Sequence, residues 1–441
     1  MRNKREKQRP LSPQWPDHQL ANELKVISRI LDDNPQTLEL IVQDLSDRVD
    51  SSVGAPGLTA EQVLRCAVIK QLHQFSYRKL EFHLVDSQSC QRFCRLPYGA
   101  SISKATLAEN LGKIQPGTWK AINDHLVRWA QARGLEKGQR IRVDATAVQT
   151  NVHYPLDSEL LYDGIRVVTR WLGRLRDWEG IGFVDHTRRA KRRVLNIRNR
   201  RGKKRLDSYR DLIKVASKTA HYAEQALAAS AQWSDPLSLA GAAQLAHYLE
   251  LLHKVIEQTQ RRVLSGEAVA AQEKICSIFE EHTDIIKKSP RETVFGHKVF
   301  VSTGASSLIL DCVVERGNPA DSNYVQPFLE RHRQLYGKVP RQSAWDGGFA
   351  SAANLRWAKE QGVQDVAFSK KCGLTVESMV RSSWVYKQLK RFRAGIEGCI
   401  GTLKHTFGLH RCSWKGWPHF QSYVHASVLT YNLIVLARLL L

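Results

Sequence analysis

One segment near the C-terminus constrains this chain more than any other feature. It reads Arg393-Ala-Gly-Ile-Glu-Gly-Cys-Ile-Gly-Thr-Leu-Lys404. A helical rotation of about 100° per residue places Arg393, Glu397 and Lys404 on one face. The neighbouring face is apolar, with Ile396 and Leu403, and is suited to packing against a sheet. The segment therefore predicts an α-helix that rests on a sheet and holds one carboxylate between two cations.

Two aspartates upstream supply partners for Glu397, because a single carboxylate binds Mg²⁺ weakly. Asp144 follows the alternating run Arg140-Ile-Arg-Val, which predicts a strand that ends at this acid. Asp346 follows a second short run and precedes a Gly-Gly pair, which breaks the chain before a predicted helix at 351–359. Sites in α/β sheets usually form at strand ends. Asp144, Asp346 and Glu397, the acid triad, are therefore the candidate catalytic and metal-binding residues.

The order and spacing of these residues resemble the signature of insertion-sequence DDE transposases, with Arg393 before the glutamate and Lys404 after it. The similarity is closest to the bacterial ISNCY-type transposases and covers roughly residue 20 to the C-terminus. Further segments resemble motifs of the helical N-terminal domain or the catalytic domain of that family: Leu58–Leu107, Phe295–Phe300, Gly317–Asp321 and Asp346–Ser351.

The chain departs from the wider signature at two points. Lys390 stands three residues before Arg393, where relatives often carry a tyrosine. A long helical segment separates Asp144 from Asp346, whereas many relatives lack this segment or carry it between the second aspartate and the glutamate. The geometry of a relative bound to DNA therefore does not transfer directly to this chain.

The resemblance implies cleavage of DNA at insertion-sequence ends and strand transfer into target DNA. It implies two Mg²⁺ ions per active site, or Mn²⁺ in their place, held by Asp144, Asp346 and Glu397; the sequence leaves the role of each acid open. Arg393 and Lys404 would bind phosphates near the cut, with local ion pairing to Glu397 as the alternative. The implied partners are double-stranded DNA, as element ends and target, and a second copy in a synaptic homodimer. Neither a membrane nor a small-molecule substrate is implied.

Hydrophobic periodicity predicts an α/β fold that is mostly helical. Apolar runs at 296–302 and 308–315 predict a hairpin, which completes a mixed sheet with the strands of the two aspartates. The resemblance identifies this sheet as an RNase H-like core. The predicted parts are a mobile leader (1–18), a helical N-terminal domain (19–135), the catalytic domain (136–157 plus 290–441) and a helical insertion (158–289). The N-terminal domain is expected to bind DNA, with a helical scaffold packed on the catalytic domain as the alternative.

The charge of the chain points to a polyanionic partner, because 66 Lys and Arg residues face 43 Asp and Glu residues. The densest run of cations lies between 188 and 205 and contains no acid. We expect it to bind DNA phosphates, with a solvated basic face as the alternative. Ten of its eleven cations are the candidate phosphate contacts and are called the basic cluster: Arg188, Arg189, Lys191, Arg192, Arg193, Arg200, Arg201, Lys203, Lys204 and Arg205.

The location expected for the protein is the bacterial cytoplasm, in association with the nucleoid. The eight cysteines are scattered, as is typical of reduced thiols, and the first residues do not resemble a signal peptide. The apolar run 424–441 is short for a bilayer span and is interrupted by polar residues, so it predicts a packed helix.

Three functions are compatible with these residues. The first is an active transposase, the second is a metal-dependent DNA nuclease without joining activity, and the third is a DNA-binding regulator or an inactive remnant. All three acids and both flanking cations are present, and a binding module has no need of them. This argues against the third function, and analysis of the reaction products separates the first from the second.

Overall fold

The computed structural model describes residues 4, 15–47, 57–97, 99–287, 292–369 and 373–441. Most of the predicted leader, residues 1–18, lies outside the described residues. The chain divides into two compact units. The sheet unit comprises Met1–Gln149 and His297–Leu441, and the helical unit comprises Thr150–Gly296. This division groups the N-terminal helices with the sheet, whereas the predicted boundaries separate them at residue 135.

Helices precede the first strand of the sheet unit. They are α1 (Gln19–Asp33), α2 (Thr37–Ser46), α3 (Ala60–Leu72), α4 (Tyr77–Asp86), α5 (Gln88–Cys94), α6 (Lys104–Lys113) and α7 (Pro116–Ala132). Helix α3 is buried on nearly all sides. Its N-cap is Thr59, whose side chain accepts a hydrogen bond from the backbone N–H of Gln62, and the Gln62 side chain accepts one from the backbone N–H of Thr59. This capping box satisfies two backbone N–H groups at a buried helix start.

The helical unit is entered from β1 (Arg140–Gln149), the strand that carries Asp144. The unit contains α8 (Asp157–Glu179), α9 (Thr187–Asn199), α10 (Gly202–Ala229), α11 (Pro236–Thr259) and the short strand β2 (Asp284–Lys287). The apolar faces of its helices form a core of their own. The basic cluster lies on α9, on the first turn of α10 and on the residues that join them.

A mixed sheet forms the centre of the sheet unit. The remaining elements are β3 (Thr293–Thr303), β4 (Ile309–Glu315), α12 (Val325–Tyr336), β5 (Gln342–Trp345), α13 (Ala352–Glu360), β6 (Asp365–Phe368), α14 (Val376–Met379), α15 (Ser383–His405) and α16 (Trp417–Leu440). Strand β3 starts in the helical unit, where it pairs with β2, and then pairs antiparallel with β4. Strand β1 lies between β3 and β5, and β1, β5 and β6 are parallel.

The predicted hairpin of β3 and β4 is confirmed, as is a mostly helical chain with a mixed sheet. This architecture is consistent with an RNase H-like core. The expectation that the first strand ends at Asp144 is wrong, because β1 continues to Gln149. Asp144 instead lies directly after the last residue of β1 that pairs with β5.

Helix α16 is long and apolar enough to cross a membrane by length and composition, but 78% of its most apolar stretch is buried inside the protein. It packs against α1, α3 and α7. Asn432, which interrupts the apolar run, accepts a hydrogen bond from the backbone N–H of Ile309 at 2.8 Å and donates to its carbonyl oxygen, also at 2.8 Å. It also donates to Asn123 on α7 at 2.7 Å. The polar residue therefore joins α16, α7 and the first residue of β4.

We predict that Asn432→Leu lowers the free energy of unfolding by about 1–3 kcal/mol, because it removes a buried partner from the backbone of Ile309. Urea denaturation of full-length protein measures the change. The matched control is Asn323→Leu, because Asn323 is exposed. Equal effects of the two substitutions would contradict the role of the buried amide.

Candidate functional site

The parallel pairing of β1 and β5 brings the two aspartates together. The register pairs Val143 with Trp345. Asp144 is the next residue of β1, and Asp346 is the first residue after β5. Asp346 is where the chain turns away from the sheet, at the start of a short 3-10 turn that contains the Gly-Gly pair. Because β1 continues and β5 does not, the sheet opens beside Asp144.

Helix α15 packs over β1, β5 and β6 and brings the third acid to the same place. The Nη2 atom of Arg393 donates to Asp144 Oδ2 at 2.7 Å and lies 3.3 Å from Asp346 Oδ1. Its Nη1 atom donates to Glu397 Oε1 at 2.9 Å, across one turn of the helix. One guanidinium therefore pairs with all three predicted acids, which come from three distant segments of the chain.

The three carboxylates differ in exposure. The side chain of Asp144 is 14% exposed, that of Asp346 is 40% exposed and that of Glu397 is 65% exposed. The backbone N–H of Ala145 donates to Asp144 at 2.8 Å, and the Ser369 hydroxyl donates to Asp346 at 2.7 Å. The two aspartates are thus oriented by the sheet, while Glu397 faces solvent from the helix.

Burial raises the pKa of the Asp144 carboxyl above its ordinary value. The charge of Asp346 also raises this pKa, while Arg393 and the N–H of Ala145 lower it without cancelling the effect of burial. A divalent cation at Asp144 therefore competes with a proton at a higher pH than it would at an ordinary aspartate.

The chemistry of the donors fits Mg²⁺ or Mn²⁺, because three carboxylates supply the hard oxygen ligands that these ions prefer. In the described part of the chain, however, no three His, Cys, Asp or Glu side chains are close enough to hold one ion. Arg393 supplies the positive charge between the acids instead. Its Nε atom is buried and has no hydrogen-bond partner among the described residues.

The two cations of the signature have different surroundings. Arg393 makes the local ion pair with Glu397 that the sequence left as an alternative, and it extends this pairing to both aspartates. Lys404 lies in the last turn of α15 and is half-buried. The contacts of both cations with DNA phosphates stay a prediction.

The burial of Arg142 was not predicted from the sequence. Apolar alternation placed it on the polar face of β1 with Asp144, and a polar face is ordinarily solvated. The structure instead buries Arg142 beneath α15, where its Nη1 atom donates to the carbonyl oxygen of Phe392 at 2.8 Å. Gly395 was a sequence signal for this burial. A glycine in the middle of a predicted helix often marks a place where another group packs closely against the helix.

The basic cluster is mostly exposed and partly neutralised. Its run contains no acid, but Asp211 from α10 pairs with both Arg189 and Arg193. Arg205 lies over the ring of Tyr209. Among the described residues, no ion pair is formed by the remaining members, which are Arg188, Lys191, Arg192, Arg200, Arg201, Lys203 and Lys204.

Two family models match the chain. One is described as a transposase DDE domain and matches residues 280–433. The other is described as a transposase domain (DUF772) and matches residues 14–111. No curated protein and no solved structure matches the chain.

These matches support an insertion-sequence transposase, a protein that binds DNA and functions in transposition. They do not distinguish the ISNCY type from others. Such transposases are typically cytoplasmic and typically use divalent metal ions. The DDE match includes Asp346 and Glu397 and begins after Asp144.

We predict that Arg393→Gln tightens Mn²⁺ binding to the DNA-free protein by about threefold or more. In this variant no guanidinium competes with Mn²⁺ for the three carboxylates. The ion pairs that are lost contribute roughly 0.2–1 kcal/mol each. Calorimetric titration measures the affinity. Arg391→Gln is the matched control, because Arg391 is an exposed cation on the same helix. Weaker binding to Arg393→Gln would show that the arginine organises the acids rather than competing for them.

Proposed function

We propose, on the support that the two family matches give to an insertion-sequence transposase, that this chain cleaves DNA at the ends of its element and joins the released 3′ ends to target DNA. The observation that carries the proposal is the convergence of Asp144, Asp346 and Glu397 around Arg393. These acids come from two neighbouring strands and a helix packed over them. Such an arrangement supports phosphodiester chemistry better than it supports a binding module.

The acid triad is the proposed holder of two Mg²⁺ ions. When bound, such ions activate an attacking oxygen and stabilise a leaving oxygen. Asp144 is the rigid member, since it is largely buried and held by the backbone of Ala145. Asp346 is oriented by Ser369, and Glu397 faces the solvent side from which DNA would approach.

Arg393 and Lys404 are the proposed phosphate contacts beside the cut. The Arg393 side chain is 17% exposed, and its planar guanidinium suits a phosphate. Lys404 would act as a point charge at the end of the same helix.

The proposed partner of the basic cluster is the DNA backbone. Exposed cations without acidic partners repel one another, and phosphates remove this repulsion. We further propose that two copies of the chain act together in a synaptic complex, since a mobile element has two ends that must be cut and joined. The proposed location is the bacterial cytoplasm, at the nucleoid.

The first experiment incubates the protein with Mg²⁺, a labelled fragment that carries the end of the element and a supercoiled target. We predict that the wild type forms joined products and that Glu397→Gln lowers their yield at least 100-fold, while both bind the end fragment with similar affinity. Glu360→Gln is the matched control, because it makes the same chemical change at an exposed residue outside the acid triad.

Each outcome of this assay decides between functions. Joined products that are lost only in Glu397→Gln support the proposed transposase. Cleavage without joining favours a nuclease, and binding without either reaction favours a regulator or an inactive remnant. Equal activity of wild type and Glu397→Gln removes this acid from the proposed site.

We predict that replacing Arg200, Arg201, Lys203 and Lys204 with Gln weakens DNA binding and flattens its dependence on salt. Each lost phosphate contact lowers the slope of log K against log salt concentration by roughly 0.9. Fluorescence anisotropy at several salt concentrations measures this slope. The comparison variant Arg189→Gln/Arg193→Gln should change it less, because Asp211 already partly neutralises that pair. An unchanged slope in the fourfold variant would favour the alternative, in which the basic cluster is a solvated face without a phosphate partner.

A further inference from the structure

Arg142 is a buried cation whose hydrogen bonds join three parts of the sheet unit. It is 6% exposed. Its Nε atom donates to Thr303 Oγ1 on β3 at 2.7 Å, and its Nη2 atom donates to Ser307 Oγ in the β3–β4 turn at 3.0 Å. Its Nη1 atom donates to the carbonyl oxygen of Phe392 on α15 at 2.8 Å. The guanidinium also lies over the Phe392 ring, 4.8 Å from its centre.

The partners of Arg142 are all neutral. No carboxylate pairs with it among the residues that the structure describes, although burial of a charge is expensive without compensation. A stable core alone would be served as well by an apolar side chain at this position. An apolar residue could not make these hydrogen bonds, and the fork-shaped guanidinium is suited to fixing several acceptors at set directions.

The acceptor on α15, the carbonyl oxygen of Phe392, is close in sequence to the member of the acid triad that this helix carries. Phe392 immediately precedes Arg393, and Glu397 follows one turn later. On β1, Arg142 and Asp144 point to the same side of the strand, because alternate residues share a face. One side chain thus connects the strand that carries Asp144 with the helix that carries Glu397.

Gly395 makes room for this connection. A Cβ atom at this position would lie 2.0 Å from Nη1 of Arg142 and 3.0 Å from its Cζ. The guanidinium cannot move away cheaply, since it is buried and held from three sides. Glycine in a helix interior costs roughly 1 kcal/mol relative to alanine, so the close approach is kept at the expense of helix stability.

We infer that Arg142 is a positioning residue for the acid triad, and that Gly395 is the gap through which its guanidinium holds α15 at a fixed distance above β1. This inference rests on the proposed function, because the triad is taken to hold divalent cations. Arg142 does not touch the reacting atoms; it acts through the position of Arg393 and Glu397.

The test compares Gly395→Ala with Gly398→Ala in full-length, DNA-free protein. Gly398 lies on the same helix, and a Cβ atom there meets nothing within 4 Å. We expect Gly395→Ala to weaken Mn²⁺ binding roughly tenfold, the low end for residues that support metal ligands, and Gly398→Ala to leave it unchanged. Faster amide hydrogen exchange at 392–397 should accompany the first substitution and not the second.

A double-mutant cycle gives the second part of the test. Arg142→Gln and Arg142→Lys should each weaken Mn²⁺ binding, because neither retains the fork. Adding Gly395→Ala to Arg142→Gln should cost little more, since the atom that the new methyl group meets is gone. The inference would be overturned if the effects of the Arg142 and Gly395 substitutions on Mn²⁺ binding were purely additive. It would also be overturned if the substitutions lowered stability but left Mn²⁺ affinity and hydrogen exchange of the folded protein unchanged.

Failure of the proposed metal site would look different. In that case the wild type and Glu397→Gln bind Mn²⁺ equally, and hydrogen exchange at 392–397 decides the inference by itself. Faster exchange in Gly395→Ala and Arg142→Gln, but not in Gly398→Ala, then supports the inference that Arg142 holds α15 above β1. Unchanged exchange in all variants overturns it.

Discussion

The candidate site depends first on the parallel pairing of β1 with β5. Every other part of the site is built onto that register, because it sets Asp144 and Asp346 side by side where β5 leaves the sheet. A shift of one residue would turn one of the two aspartates to the opposite face. Helix α15 then needs only to lie across these strands for its glutamate to reach the same place.

Two arginines with opposite surroundings determine how α15 lies on the sheet. Arg393 pairs with three carboxylates and relieves their mutual repulsion, whereas Arg142 has only neutral partners and fixes the backbone of the helix. The first arginine balances charge, and the second sets distance. Without a bound metal ion, the arrangement of the three acids depends on both, because carboxylates of like charge repel one another.

Much of this site could be predicted from the sequence, for physical reasons that differ from residue to residue. Arg393 and Glu397 are one helical turn apart, so their proximity follows from local geometry alone. The meeting of Asp144 and Asp346 is not local; it was predicted from their positions at the ends of strands and from the resemblance to known transposases. The burial of Arg142 was missed because alternation along a strand cannot tell a polar face that is solvated from one that a helix covers. The pairing of Asp211 with the basic cluster was missed because it depends on how α9 packs against α10.

The sheet unit is interrupted in the sequence by the whole helical unit, and this has a consequence for synthesis on the ribosome. Strand β1 is complete before Thr150–Gly296 is made, and β5 follows only afterwards. At about 5–20 residues per second, β1 waits on the order of 10 s for its parallel neighbour. The helical unit has its own core and can form during that interval, while β1 keeps an unpaired edge open to other chains. During this interval the nascent chain carries an exposed strand edge, which is a general hazard for aggregation and which β3 and β5 cover in the folded protein.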